Sequence, residues 1–230
     1  MKHYTILVAG GSGSRMQSDI PKQFIVLKGI PILLHTIHKF IKIEENSIIL
    51  VLPKEQISYW NELTATFPKE IQVELKQKVT IIEGGATRFQ SVKNGLKSIQ
   101  DATPDSLVLV HDGVRPLLST NLIYRVLEEA KNTKAAAVAV PLKDTPRLVN
   151  NDGTNQSIPR ETIQLMQTPQ VFHYELMKQA FSQEEQATFT DCASVVEAWG
   201  HPISLVLGEY TNLKITTPED LILAASFLSN

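Results

Sequence analysis

Cysteine is nearly absent from this chain: among 230 residues there is one, Cys192. That excludes an intramolecular disulfide and a zinc site built on several thiolates. No apolar run approaches the roughly 18 residues of a membrane span, so no membrane helix is expected. The basic excess of a general nucleic-acid binder is also missing, since 22 Lys and Arg stand against 24 Asp and Glu for a net charge of −2. Locally placed cations can still hold a small phosphorylated ligand. The six histidines, His3, His35, His38, His111, His173 and His201, are scattered. His35 and His38 share helical spacing without a third ligand nearby in sequence, so no histidine metal site is expected. There is no internal repeat and no low-complexity stretch. The chain opens with one early lysine and a short apolar run ending in glycines, too short for a signal peptide. The cytoplasm is therefore the expected compartment.

What is present is ordinary globular composition, 43% hydrophobic and 20% charged. The length suits one large domain or two small ones, and the pattern is read as a single domain over 1–230. Buried strands are expected at Tyr4–Ala9, Ser47–Leu52, Val79–Glu83, Ser106–Val110 and Ala135–Val140, each a short β-branched or small apolar run bounded by Gly, Pro or polar residues. Helices are expected over Ile30–Ile43, Gln56–Thr66, Thr87–Gln100, with Val92, Leu96 and Ile99 on one face, and Thr120–Asn132, with Thr120 as N-cap. This alternation implies an α/β fold: a mainly parallel open sheet covered by helices on both faces.

The pattern changes at Lys143–Arg160, which has no apolar stripe. Asn150-Asn151-Asp152-Gly153 is a hairpin-turn signal, and Thr145–Val149 can pair with Thr154–Ile158. The segment 142–162 reads as a protruding β-arm or as a surface loop. A two-stranded hairpin is marginal alone in water, so as an arm it needs something to pack on, most simply a second copy of the chain. Beyond it, helices are expected at Tyr174–Gln183, Asp191–Trp199 and Pro218–Leu228, and a last strand at Pro202–Leu207. Thr217 suits an N-cap, with Pro218 at N1 and Glu219 and Asp220 favouring the helix dipole.

The first strand ends in A-G-G-S-G-S-R-M, Ala9–Met16. Glycines let backbone N–H groups approach phosphate oxygens, Ser12 and Ser14 add donors and Arg15 adds charge. The spacing matches neither the dinucleotide fingerprint nor the Walker-type loop, and alone it is equally a tight turn. Pro21-Lys22-Gln23 follows. Lys22 can fold back onto the same phosphates, though in isolation it reads as a solvated lysine.

Together, A-G-G-x-G-x-R-M and P-K-Q resemble the nucleotidylyltransferase signature, and most closely that of the 2-C-methyl-D-erythritol 4-phosphate cytidylyltransferases of the non-mevalonate isoprenoid pathway. The resemblance continues in E-G-G-A-T-R-F-Q-S-V (Glu83–Val92), V-H-D-G-V-R-P (Val110–Pro116), K-D-T (Lys143–Thr145), Q-T-P-Q-V-F (Gln167–Phe172), T-D-C-A-S (Thr190–Ser194) and N-L-K-I-T-T-P-E-D-L (Asn212–Leu221). It implies a Rossmann-like nucleotidyltransferase fold and attack by a phosphate monoester oxygen on the α-phosphorus of CTP, with pyrophosphate leaving. The product would be 4-diphosphocytidyl-2-C-methyl-D-erythritol.

By the same resemblance, Arg15, Lys22 and Lys214 stabilise transition-state charge. Ala9, Gly10, Gly11, Ser12, Gly13, Gly84, Gly85 and Ser91 hold the nucleotide. Asp112, Arg115, Thr145, Arg160 and Thr168 hold the polyol phosphate. Asp112 also helps hold Mg2+, or else it simply pairs with Arg115. Ala86 departs from the acidic residue often found at that position. Arg88 reads as structural or as a distant phosphate partner, and Lys143 and Arg147 as solvated charges. In the family the arm reaches a partner subunit, which implies a homodimer. A ribitol-5-phosphate cytidylyltransferase is the nearest alternative. Those relatives often carry a longer stretch before P-K-Q and a Tyr ahead of Q-T-P-Q, whereas here Asp19-Ile20 leads directly to Pro21 and Leu165-Met166 precede Gln167. A non-catalytic nucleotide-binding module would tolerate loss of the cations, yet Arg15, Lys22 and Lys214 are all present.

Overall fold

The computed structural model describes residues 2–11, 16, 18 and 20–228. The first apolar run forms β1 (His3–Val8). A small antiparallel pair, β2 (Val26–Leu27) and β3 (Ile30–Pro31), leads into α1 (Ile32–Ile41). The expected helix over 30–43 is thus shorter, because Ile30 and Pro31 pair with β2 before the helix starts. Next come β4 (Asn46–Leu52), α2 (Lys54–Ala65), α3 (Lys69–Lys78) and β5 (Val79–Glu83). Helix α3 carries no strong apolar stripe, with Leu75 its one buried residue, which is why periodicity did not mark it.

Helix α4 (Arg88–Lys97) buries Val92 and Leu96 as expected but ends before Ser98. It precedes β6 (Leu107–Asp112), α5 (Thr120–Thr133) and β7 (Ala135–Pro141). The cap of α5 is Ser119, not Thr120: the Ser119 hydroxyl accepts from the Leu122 N–H at 3.1 Å. Around the Asn150–Gly153 turn, β8 (Arg147–Val149) pairs antiparallel with β9 (Asn155–Ser157), and every residue of both strands is exposed. The chain closes with β10 (Gln164–His173), α6 (Tyr174–Ala180), α7 (Cys192–Ala198), β11 (Ser204–Leu207) and α8 (Pro218–Phe227). Thr217 does cap α8, in a capping box with Asp220.

The main sheet has the order β11-β7-β10-β6-β1-β4-β5. It is parallel except for β10, which runs antiparallel between β6 and β7. No strand was expected there, because Pro169 interrupts the run and proline inside a strand argues against a central position. The sheet accommodates it with a register shift between Met166 and Gln170. Alternation along the strands splits the core in two. Leu7, Leu50 and Leu109 face α1 and α5, while Ile6, Val51 and Val110 face α4, α6 and α7. The chain steps from β1 outward through β4 to β5, then returns to β6 on the other side of β1. The carboxyl ends of β1, β4, β5 and β6 therefore meet at a switch in strand order, where open α/β sheets bind ligands.

Helix α4 reaches this edge because it lies very close to the sheet. A Cβ on Gly95 would sit 2.9 Å from Ile6 Cγ2 and 3.1 Å from Val51 Cγ2. Gly95→Ala would gain helix propensity of about 1 kcal/mol but overpack the interface, which typically costs about 1–3 kcal/mol. We expect a net loss of stability in urea unfolding; a more stable variant would show that α4 does not pack this tightly.

Candidate active site

A cavity of about 280 Å³ opens at this switch point. Its wall includes Ala9, Gly10 and Gly11 after β1, Gly84 and Gly85 after β5, and Asp112 at the end of β6. Lys22 and Lys214 also line it. The expected residues Ser12, Gly13 and Arg15 lie outside the described residues. Lys22 sits in a buried 3-10 turn, Lys22–Phe24. The Lys22 stem packs beside the loop, its Cε 3.4 Å from where a Cβ on Gly11 would lie, an ordinary contact. Gln23 steadies the same corner: its Nε2 donates to the Ala9 carbonyl at 2.7 Å and to Gln56 Oε1.

On the β5 side, the Ser91 hydroxyl accepts from the Gly85 N–H at 3.1 Å and lies within 3.4 Å of the Gly85 carbonyl. Gln90 Oε1 accepts from the Ala86 N–H at 3.1 Å. Ser91 thus shapes the glycine turn from within. A Cβ on Gly85 would fall 2.3 Å from Gln90 Cβ, so the turn must be glycine.

Asp112 is the electrostatic centre. Its Oδ2 lies 3.1 Å from Arg115 Nε and 3.2 Å from Lys214 Nζ, and its Oδ1 lies 3.8 Å from Arg88 Nη2. Burial opposes ionisation, but Lys214, Arg88 and Arg115 together outweigh it and hold the carboxyl well below the usual carboxylate range. The pairing with Arg115 considered from sequence is present. Arg115 Nη1 also donates to the Asn212 carbonyl at 2.8 Å, so its guanidinium braces the protein. Arg88, in the first turn of α4, lines the cavity and donates from Nη1 to Cys192 Sγ at 3.2 Å. Burial pushes the Cys192 thiol up, keeping it neutral. The thiol is placed by Gln170, whose Oε1 accepts from the N–H groups of Cys192 and Ala193 at the start of α7.

Thr168 is buried beside Asp112, with its hydroxyl turned inward. It accepts from the Asp112 N–H at 3.1 Å and lies 2.9 Å from His111 Nδ1. Thr145 and Arg160 are exposed and do not line the cavity. Arg160 contacts its own neighbourhood, the Lys143 carbonyl at 3.3 Å and Glu161 at 3.5 Å. Lys143 is exposed as expected and also sits over the Tyr210 ring at 3.7 Å. Arg147 bonds Asn155 across the hairpin. His111, Gln23, Gln170 and Asn212 received no role from sequence, although all four lie within the quoted motifs. Spacing along a motif does not say which side chains turn inward.

The IspD family, 2-C-methyl-D-erythritol 4-phosphate cytidylyltransferase, matches residues 4–230. This chain belongs to the IspD family. It is 45% identical to the 2-C-methyl-D-erythritol 4-phosphate cytidylyltransferase of Bacteroides thetaiotaomicron, over 99% of this chain and 100% of that one. The solved IspD of Francisella tularensis superposes with a TM-score of 0.82 at 31% identity, covering 99% of this chain and 100% of its own. The Thermus thermophilus enzyme gives 0.76 at 32% identity, with both chains covered in full. The mostly parallel sheet with helices on both faces is thus that of solved IspD structures.

Within this IspD-family site, burial lowers the pKa of His111 to about 3, against a smaller opposing pull from Asp112. The folded protein keeps the ring neutral while the unfolded chain takes up a proton below about pH 6.5. Stability should therefore fall as pH drops from about 6.5 towards 3, by about 1.4 kcal/mol per pH unit from this group. Between pH 6.5 and 4.5, above the Asp112 titration, His111→Asn should flatten the pH slope of urea-unfolding free energy. Identical slopes in the two proteins would mean that the ring is not held neutral.

Proposed function

We propose that this chain transfers the cytidylyl group of CTP to 2-C-methyl-D-erythritol 4-phosphate, giving 4-diphosphocytidyl-2-C-methyl-D-erythritol and pyrophosphate. The observation that carries the reading is one cavity joining Lys22 beside the glycine turn to the Asp112–Lys214 pair, in a chain matched end to end by that family. An oxygen of the acceptor monoester forms a bond to the α-phosphorus as the bond to the β-phosphate bridging oxygen breaks, and the electron pair leaves with pyrophosphate. A second phosphate pKa near 6 makes the nucleophile largely dianionic at neutral pH, so no general base is required. The protein's contribution is positioning and charge stabilisation. Lys22 and Arg15 are assigned to the triphosphate, and Lys214, held by Asp112, to charge developing between the substrates.

Mg2+ suits this donor set. Asp112 is the one carboxylate among the described residues lining the cavity, and no cluster of three candidate ligands occurs among the described residues. An ion with one carboxylate and several phosphate oxygens is the usual Mg2+ arrangement, and Asp112 Oδ1 is the oxygen farther from its cation partners, 3.8 Å from Arg88. Bound there, the ion would neutralise triphosphate charge.

A homodimer completes the reading. Thr145 and Arg160 lie away from their own cavity, and the exposed β8–β9 hairpin carries Leu148 and Val149. Met166 and Leu207 share the cross-strand partner Ala139, so they lie on one sheet face, and both are exposed. A second copy would cover this apolar surface and bring Arg160 to its partner's site. None of the described helices is long and apolar enough to cross a membrane.

Pyrophosphate release with CTP, Mg2+ and 2-C-methyl-D-erythritol 4-phosphate should be strong, and weak with ribitol 5-phosphate; the reverse order would move the chain to wall-polymer chemistry. Chelating Mg2+ should abolish turnover reversibly. Lys22→Ala should cut turnover by about 10²-fold or more in a folded protein, the size seen when one charge-stabilising donor is removed; near-normal turnover would remove Lys22 from the mechanism. Leu148→Glu with Val149→Glu should yield monomers in light scattering and lose activity. An active monomer would refute the shared site.

A further inference from the structure

Four buried residues close a hydrogen-bonded ring behind Asp112. Thr168 Oγ1 meets His111 Nδ1 at 2.9 Å, and His111 Nε2 meets the Arg115 carbonyl at 3.3 Å. Arg115 Nη1 donates to the Asn212 carbonyl at 2.8 Å, and Asn212 Nδ2 donates to the Thr168 carbonyl at 2.9 Å, returning to the start. His111 and Asn212 are wholly buried, Thr168 and Arg115 nearly so. A neutral imidazole protonated on Nε2 satisfies both of its contacts: Nδ1 accepts from the Thr168 hydroxyl while Nε2–H donates to the carbonyl. The Thr168 oxygen then remains free to accept from the Asp112 N–H. Alternation along β6 explains the division, with His111 facing the α1 layer against Phe40 and Asp112 the opposite face. Asn212 Nδ2 also donates to Gln167 Oε1 at 3.1 Å, and the Ile215 N–H bonds the Val114 carbonyl at 2.9 Å. The segment carrying Lys214 is thereby strapped to the turn carrying Asp112 and Arg115.

We propose that His111 and Asn212 are positioning residues for this reaction, fixing Lys214 against Asp112 on the side where the acceptor phosphate must approach. The proposal rests on the cytidylyltransferase reading. Neither side chain lines the cavity; both act through the residues they hold. Members of a buried hydrogen-bonded network are energetically coupled; here the ring's donors are all used, and Asn212 Oδ1 is its one buried polar atom without a partner among the described residues. The turn after β5, assigned to the nucleotide by the family resemblance, has separate support in the Ser91–Gly85 contacts, so losing the ring should affect the two substrates unequally.

The test uses the full chain with CTP, Mg2+ and 2-C-methyl-D-erythritol 4-phosphate, comparing His111→Gln, His111→Asn, Asn212→Ala and the double variant His111→Gln/Asn212→Ala. Calorimetric CTP affinity is measured alongside kcat/KM for the acceptor. We expect kcat/KM for the acceptor to fall at least tenfold in His111→Gln and Asn212→Ala, with CTP affinity within about threefold of wild type. The double variant should lose little more than either single one. His111→Asn, which can keep an acceptor near the Nδ1 position, should recover part of the loss. Retained CTP binding shows that a variant is folded. If His111→Gln does not fold, Asn212→Ala and His111→Asn decide the matter by the same split. Equal losses for both substrates, multiplicative losses in the double variant, or normal acceptor kinetics would each overturn the proposal. A wild-type protein inactive with this acceptor would instead overturn the underlying reading.

Discussion

The site depends on one buried charge. A carboxylate taken from water is unfavourable by several kcal/mol unless it is paired and hydrogen-bonded. Asp112 meets that requirement with three cations drawn from three parts of the chain: Arg88 from α4, Arg115 from the turn after β6, and Lys214 from the segment before α8. The pairing is asymmetric. Arg115 is nearly as buried as Asp112 and is also anchored by Asn212, whereas Lys214 keeps 42% of its side chain exposed. Arg115 is therefore locked inside the protein, whereas Lys214 stays partly open along the cavity wall.

Topology explains why these groups meet. Arg88 follows β5, Asp112 ends β6 with Arg115 just beyond it, and the return of the chain from β5 to β6 across β1 opens the cleft that Lys214 enters from the segment before α8. Gly113 tightens the junction: a Cβ there would sit 2.9 Å from the Ala9 Cβ and 3.0 Å from Leu33 Cδ1. The end of β6 and the start of the glycine turn can approach this closely only because Gly113 has no side chain. Even so, position 115 reaches back to 112 through a single short turn, with the Arg115 N–H bonded to the Asp112 carbonyl.

Sequence made the parallel core and the cavity wall legible because both follow from local signals. Buried strands read as continuous apolar runs, and glycines mark close approach. The cations Lys22 and Lys214 and the carboxylate Asp112 were legible through their motifs. Strand β10 was not, since Pro169 argues against a central strand when read without its antiparallel neighbours. Helix α3 was hidden by its charged surface, with one buried residue too few to set a period. The inward turn of the Thr168 hydroxyl and the placing of Cys192 against Arg88 are contacts across 57 and 104 positions. No local pattern encodes such pairings; they exist only once the sheet has set its register.

The two sides of the cavity are braced differently. The side after β5 relies on short-range contacts, Ser91 to Gly85 and Gln90 to Ala86, within one turn and the helix it starts. Such a unit holds its shape with little help from the rest of the fold. The Asp112 side relies on long-range contacts among β6, β10 and the segment at 212–215. Charge stabilisation in a transition state is sensitive to the placement of each charge, and groups fixed before substrate arrives need no reorganisation during the reaction. Tying that side to three separated segments makes its geometry a property of the whole sheet. It also makes it vulnerable to any change that shifts β10 relative to β6, including substitutions far from the reacting atoms.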